Sequence, residues 1–213
     1  MEDIKYSTIK TFGPSIFKAE MPKDLVTKLN QYVDTILKNK EKSSELNHGL
    51  QLAGDVTQEF KLEMEFIKKS GWGEFLMKST DRWIHIELNK RISKFALINS
   101  WIVRQFENEY NPTHIHGGHI SGAGFLKVPK SLGDFKQNKV GKDYSGGKLQ
   151  LIHGSRMFMS QSVFEITPKV GYFYFFPHYL MHAVFPFKNS EEERRSISFN
   201  ARIDENIYDV YGV

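Results

Sequence analysis

The sequence predicts an α+β fold, and three observations carry that expectation. Apolar residues recur at helical spacing through the first part of the chain, and strand-like alternation takes over from Lys94. The aromatic share is 14%, with 17 phenylalanines, a composition suited to sheets packed face to face. Several short strands after a helical part fit a double-sheet jelly roll, with the N-terminal helices packed on one sheet. At 213 residues the chain is long enough to bury a sizeable core as one domain. Residues 1–94 are expected to be mainly helical support and residues 95–213 the strand-built core.

Residues 7–19 read as a strand broken at Gly13-Pro14. A helix is expected from Pro22, because Leu25, Leu29, Val33 and Ile36 or Leu37 recur about one turn apart with Lys, Asp and Gln between them. Residues 41–56, with Ser43, Ser44, Asn47, Gly49 and Gly54, read as loop. A second helical stretch carries Phe60, Met64 and Ile67 and breaks at Gly71-Trp72-Gly73. A third carries Phe75, Leu76, Trp83, Ile84 and Leu88 and reaches Lys90. Strands are then expected over 95–106, 122–128, 148–152, 162–166, 171–176 and 195–203. Residues 129–147, rich in Gly and Lys, read as a long loop, either a lid or binding segment or a disordered exposed connection.

Composition removes several classes. The absence of cysteine excludes disulfides, thiolate nucleophiles and iron–sulfur clusters, and fits a cytoplasmic protein. The polar opening Met1-Glu2-Asp3-Ile4-Lys5 is no secretory signal, and no apolar run is long enough for a bilayer, so no membrane partner is expected. A net charge of +4, spread among mixed acids and bases, comes without a basic helix, zinc finger or aromatic–basic motif, so no nucleic-acid partner is expected either. Asn111-Pro112-Thr113 is not a glycosylation acceptor, because proline occupies its middle position.

Chemistry concentrates in Thr113-His114-Ile115-His116-Gly117-Gly118-His119-Ile120-Ser121-Gly122. On a strand, His114 and His116 stand two apart and aim their imidazoles to the same side, as a divalent metal requires. The best third ligand is His182, in Phe176-Pro177-His178-Tyr179-Leu180-Met181-His182. Imidazole suits iron, zinc, copper and nickel. His119 has the opposite parity unless Gly117-Gly118 forms a bulge. His178 follows Pro177, which argues against a continuing strand, and is expected either beside the ligand set or at the surface, while His48, His85 and His153 read as surface or satisfied core residues. Further on, alternation puts Arg194, Ser196 and Ser198 on one strand face and Ile197 and Phe199 on the other. A guanidinium pairs with a carboxylate through two hydrogen bonds, and a hydroxyl can add a third, so Arg194 with Ser196 is a candidate carboxylate anchor. The plain alternative pairs Arg194 with Glu191, Glu192 or Glu193, and Arg195 takes over if the register slips by one. Gly117-Gly118 with Gly122-Ala123-Gly124 lacks the strand–turn–helix context of a dinucleotide loop.

Four blocks, taken together, resemble a known family in order and spacing: His-x-His-x-Gly leading into Ser121-Gly122, Gly146-Gly147-x-Leu149, Phe176-Pro177 through His182, and Arg194-x-Ser196-x-Ser198-Phe199-Asn200. They resemble the iron(II)/2-oxoglutarate-dependent oxygenases, and most closely a prolyl-hydroxylase-like branch found in bacteria and viruses. The likeness covers roughly residues 99–203. It implies a double-stranded β-helix and Fe(II) on His114, His116 and His182. It also implies 2-oxoglutarate as a small-molecule cosubstrate held by the metal and by Arg194 and Ser196. With O2 as oxidant, such an enzyme hydroxylates a C–H bond of a protein, peptide or small molecule, a peptidyl prolyl residue being the substrate of its nearest relatives. Loop gating between the same strands is implied as well. The usual triad is two histidines and a carboxylate. His116 stands in the carboxylate's place, and Glu107, Glu109 or Asp143 is then the candidate to enter from a loop. Two other readings stay open on the residues alone: a three-histidine cupin-like metalloenzyme that does not use 2-oxoglutarate, and a jelly-roll binding module without catalysis.

Overall fold

The computed structural model describes residues 4–10, 13–47, 49, 54–134 and 142–209. In chain order the elements are β1 (Tyr6–Lys10), β2 (Ser15–Glu20), α1 (Lys23–Leu37), α2 (Lys40–Leu46), β3 (Gln58–Lys61), α3 (Met64–Ser70), α4 (Trp72–Leu88) and β4 (Phe95–Gln105). They continue with β5 (Asn111–His114), β6 (Ile120–Lys127), β7 (Leu149–Ile152), β8 (Val163–Ile166), β9 (Tyr172–Pro177), β10 (Met181–Val184), β11 (Arg194–Ile203) and α5 (Glu205–Tyr208). The strands make two antiparallel sheets. The larger runs β1-β2-β9-β6-β11-β4-β3 and the smaller β5-β10-β7-β8.

Two apolar cores set the layering. On one side of the larger sheet, α1 contributes Leu25, Val26, Leu29, Val33 and Ile36, and α4 contributes Trp72, Phe75, Leu76 and Trp83. These pack on Phe17, Phe173, Phe175, Ile197 and Phe199 of the strands. On the other side, Ile16, Phe125, Tyr174 and Phe176 meet Leu149, Leu151 and Ile166 of the smaller sheet. Helices, larger sheet and smaller sheet are thus stacked in that order, and the central strands are buried on both faces. The helices do pack on the strands, as their periodicity predicts.

β11 shows how alternation sorts side chains between the layers. Arg194, Ser196 and Ser198 turn toward the smaller sheet, whereas Ile197 and Phe199 enter the helix-side core. Arg195 also faces the helices, where it donates to Asn30 and to Asp34 of α1 at 2.8 Å. Its Nε donates to Glu193 at 2.6 Å, and Arg104 holds the same carboxylate at 2.8 Å. Burial pushes the Glu193 carboxyl up, but the hydrogen bonds and charges of Arg104 and Arg195 outweigh it and hold the group below the ordinary range.

The sequence expectations need three corrections. Phe60 lies on β3, not on a helix, because β3 pairs with β4 and only from Met64 does the chain turn helical. The helical break falls at Gly71 alone, at φ +91°, and Trp72 and Gly73 open α4. Residues 40–46 form α2, capped by Asn39 accepting from the Lys42 N–H, where a loop is expected. The N-terminal part, with α1 to α4 as its main content, also adds β1, β2 and β3 to the larger sheet, the first two over the stretch read as a broken strand. His48 and residues 135–141 of the long Gly/Lys loop lie outside the described residues.

Glycine is required where β6 crosses the aromatic core. A Cβ at Gly124 would stand 2.2 Å from Cδ2 of Phe173 and 3.0 Å from the Tyr172 carbonyl. Gly124→Ala is expected to cost about 1–3 kcal/mol through overpacking. A lowered midpoint in urea denaturation at unchanged slope is the outcome that bears this out.

Candidate metal centre

β5 and β10 are neighbours in the smaller sheet, and their register sets His114 directly opposite His182. On its other side β10 pairs with β7, His182 against Leu151. His182 is buried, 4.9 Å from the Phe176 ring between ring centres. β5 ends at His114, so His116 belongs to the irregular segment leading to β6 and not to a strand. It nevertheless reaches the same point. One nitrogen from each of the three histidines lies within 4.8 Å of the others, the only such group among the described residues. The Nε2 atoms of His116 and His182 are 3.0 Å apart. Two ligands about 2.1 Å from one ion and roughly at right angles stand about 3 Å apart, so the spacing suits a metal.

The tautomers favour the same use. Nδ1 of His114 meets the Pro112 carbonyl at 2.7 Å, and Nδ1 of His182 meets the Leu180 carbonyl at 2.8 Å. A carbonyl only accepts, so each Nδ1 carries the hydrogen and each Nε2 offers its lone pair. Burial lowers the pKa of His182 to about 4, with the His114 charge adding to it. Burial first, then His182, His114 and His178, lower that of His116 to about 2. Both rings are neutral at physiological pH, the state in which imidazole binds a metal.

Across the cleft stands Arg194, which is 2% exposed. Its Nη1 donates to Oε1 of Gln105 at 2.7 Å, its plane lies over the Phe125 ring at 5.1 Å, and its Nε has no partner among the described residues. Among the described residues no carboxylate pairs with it. Glu193 is committed to Arg104 and Arg195, and Glu192 accepts from the Lys130 N–H. Burial brings the guanidinium down to about 10, still charged at neutral pH. The cleft between Arg194 and the histidines is also lined by Trp101, Val103, Asn111, Ser196 and Ser198. A larger hollow of about 380 Å³ between α1 and α4 holds no histidine.

The remaining sequence candidates fall elsewhere. His119 is buried apart from the cluster, its Nδ1 accepting from the Ile203 N–H. His178 sits beside the cluster, its Nδ1 against the His116 carbonyl at 3.0 Å. Glu109 accepts from Thr57 and from the Phe106 N–H, Glu107 accepts from the Asn189 N–H, and Asp143 is exposed, so none of the three joins the histidines. Two residues went unread. Gln105 was detectable, since alternation puts it on the strand face of Trp101 and Val103, the same face that its register partner Arg194 presents. Glu59 carried no signal. It lies on β3 opposite Val103, fully buried, with the Asn111 amide near its carboxylate and, among the described residues, no close hydrogen bond to either oxygen.

Residues 99–200 match the model of a family described as "Putative 2OG-Fe(II) oxygenase". The segment that carries the three histidines and Arg194 is therefore similar to the 2OG-Fe(II) oxygenases, a family that acts with ferrous iron, 2-oxoglutarate and O2. No curated protein matches the chain. Among solved structures, a Pseudomonas putida prolyl-4-hydroxylase is similar, at 16% identity and a TM-score of 0.56, with 92% of each chain covered. So is the viral collagen prolyl hydroxylase of Paramecium Bursaria Chlorella virus-1 in its 2OG complex, at 15% identity and TM-score 0.51, covering 92% of this chain and 94% of that one. A Trichoplax adhaerens prolyl hydroxylase with a hypoxia inducible factor peptide fragment gives 13% identity and TM-score 0.56, covering 98% of this chain and 87% of that one. At these identities the likeness concerns the fold.

Burial pushes the Glu59 carboxyl up to about 7, against a partial offset by the Asn111 amide and with a further push from Glu109. The folded protein then holds this proton up to about pH 7, while the unfolded chain releases it near 4.5. Stability from this group is full below the unfolded value and is lost as pH rises toward 7, by roughly 3 kcal/mol. Glu59→Gln should therefore gain stability relative to wild type between about pH 5 and pH 8 in urea titrations. Parallel pH curves for the two proteins would show that Glu59 titrates normally.

Proposed function

We propose that His114, His116 and His182 hold Fe(II), that Arg194 and Ser196 bind the carboxylate of 2-oxoglutarate remote from the metal, and that the enzyme hydroxylates a peptidyl residue, prolyl being the reference case. The observation that carries this reading is the buried, carboxylate-free Arg194 facing the histidine cluster across one cleft. Gln105 takes one guanidinium N–H, leaving the unpartnered Nε and its neighbours for an anion. The hydroxyl of Ser196 lines the same cleft. Three neutral imidazoles leave the ion its full double charge, and a dianionic cosubstrate offsets it. Iron with 2-oxoglutarate and O2 supplies the oxidising chemistry, releasing succinate and CO2 as a C–H bond becomes C–OH. The chain's own part is to hold the ligand nitrogens, orient the dianion and keep the cleft dry behind Trp101, Phe176 and Leu149.

On the same reading the two sheets form a double-stranded β-helix, and residues 1–94 and 95–213 make one domain. The shared helix-side core and the three N-terminal strands in the larger sheet support this. A peptide substrate is supported by the structural likeness to a prolyl hydroxylase solved with a peptide fragment. No helix among the described residues is long and apolar enough to cross a membrane, which fits a cytoplasmic enzyme.

Incubation with Fe(II), ascorbate, 2-oxoglutarate and a proline-rich peptide should yield succinate in step with hydroxylated peptide. His182→Ala should abolish turnover. Arg194→Ala should raise the KM for 2-oxoglutarate by roughly ten- to a hundredfold, the range for losing a charged hydrogen-bonding partner. Succinate formation that survives His182→Ala sinks the proposal.

A further inference from the structure

The three histidines are not held alike. His114 and His182 sit on paired strands, and each ring is fixed by a carbonyl two residues back. His116 lies beyond the end of β5, and among the described residues no carbonyl takes its Nδ1. Its peptide is held instead by residue 178. The His116 N–H donates to the His178 carbonyl at 3.0 Å, and the His178 ring returns a bond from Nδ1 to the His116 carbonyl, also at 3.0 Å. Because a carbonyl cannot donate, this Nδ1 carries the hydrogen and Nε2 of His178 is an acceptor. Tyr208 on α5 fills that acceptor with its hydroxyl at 2.6 Å.

Tyr208 is itself fixed in place. Its ring lies flat on that of His119, 3.9 Å between centres and 5° between planes. His119 is locked by the Ile203 N–H on Nδ1 and turns Nε2 toward Glu205 at 3.5 Å. The turn into α5 is pinned by Asp204, which accepts from the backbone N–H groups of Ser93 and Lys94. A continuous path therefore runs from α5 through a phenol and an imidazole to the peptide of His116.

We propose that His178 and Tyr208 are positioning residues for His116, and that docking of α5 thereby sets the metal affinity of the cluster. This rests on reading the cluster as the metal site. The phenol hydrogen bond keeps His178 in the Nδ1–H tautomer, and that N–H fixes the carbonyl, hence the ring direction, of the one ligand that no strand holds. Reciprocity follows: what α5 does for the metal, the metal does for α5.

The test is an equilibrium titration with Mn(II), without cosubstrate, on wild type, Tyr208→Phe, His178→Ala, His178→Asn, the Tyr208→Phe/His178→Asn pair and His182→Ala. Tyr208→Phe removes one hydroxyl and should weaken binding about three- to tenfold. His178→Ala should weaken it more, roughly ten- to a hundredfold, as supporting groups around a metal do. Asparagine can place an amide N–H where Nδ1 stood but cannot reach Tyr208. His178→Asn should therefore recover most of the alanine loss, and adding Tyr208→Phe to it should change nothing further. Mn(II) should also slow amide hydrogen exchange over residues 205–209 in wild type and not in Tyr208→Phe. Affinities of Tyr208→Phe and His178→Ala within about twofold of wild type, with His182→Ala devoid of binding, would overturn this proposal and leave the cluster reading intact. Undiminished binding by His182→Ala would remove the cluster reading and this proposal together. Thermal melts identify any variant that fails to fold, and Tyr208→Phe, which keeps the stacked ring, carries the decision if His178→Ala does.

Discussion

The pairing of His114 with His182 across β5 and β10 is the constraint on which the site depends. Side chains alternate along a strand, so a slip of one residue would turn His182 to the outside and bring Met181 inward. That slip is prevented by apolar packing rather than by the histidines. Leu149, Leu151 and Ile166 lie between the sheets and fix β7, and β7 fixes β10 through four consecutive pairs. The inter-sheet core thus does for the ligands what a rigid scaffold does for any site: it settles direction before a metal is involved.

β11 makes a second such division with two adjacent arginines. Arg195 has its guanidinium enclosed by Glu193, Asp34 and Asn30, and so ties α1 to the larger sheet. Arg194, equally buried, has one amide oxygen and an aromatic face. Burying a guanidinium without a carboxylate is costly, and the lowered pKa is a measure of that cost. Identical residues one position apart are therefore in opposite electrostatic states, one satisfied and one still able to take an anion.

Much of this was legible because both faces of the central strands are buried. A period of two then sorts every side chain, which is why Arg194, Ser196 and Ser198 could be assigned to one face from sequence. α1 was legible for the matching reason, one apolar stripe at helical spacing. What failed lacks such a stripe. α2 buries no residue among Lys40–Leu46, leaving only its Asn39 cap as a signal. β3 is four residues long, and Phe60 with Met64 and Ile67 mimics helical spacing across its end. β5 contains Pro112, tolerated because β5 is an edge strand. The convergence of His114 and His116 was expected for a partly mistaken reason. Strand parity predicted it, but the strand stops at His114 and contacts from His178 hold the rest.

If His116 is a ligand, charge accounts for an imidazole standing where a carboxylate is usual. On the proposed reading the pocket gathers two positive charges on the metal and one on Arg194, with no carboxylate among the ligands. Glu107 and Glu109 are not among the grouped side chains, being held instead by the Asn189 and Phe106 N–H groups, and Glu59 is held toward its neutral form by burial. On that reading the compensating charge would arrive with the dianionic cosubstrate, held by the histidine-bound metal and by Arg194. A carboxylate ligand would cancel one unit beforehand and weaken the pull on the dianion. On the proposed reading, with three neutral ligands, metal and dianion would each lower the cost of the other, and their binding would be coupled more tightly than in a two-histidine, one-carboxylate site.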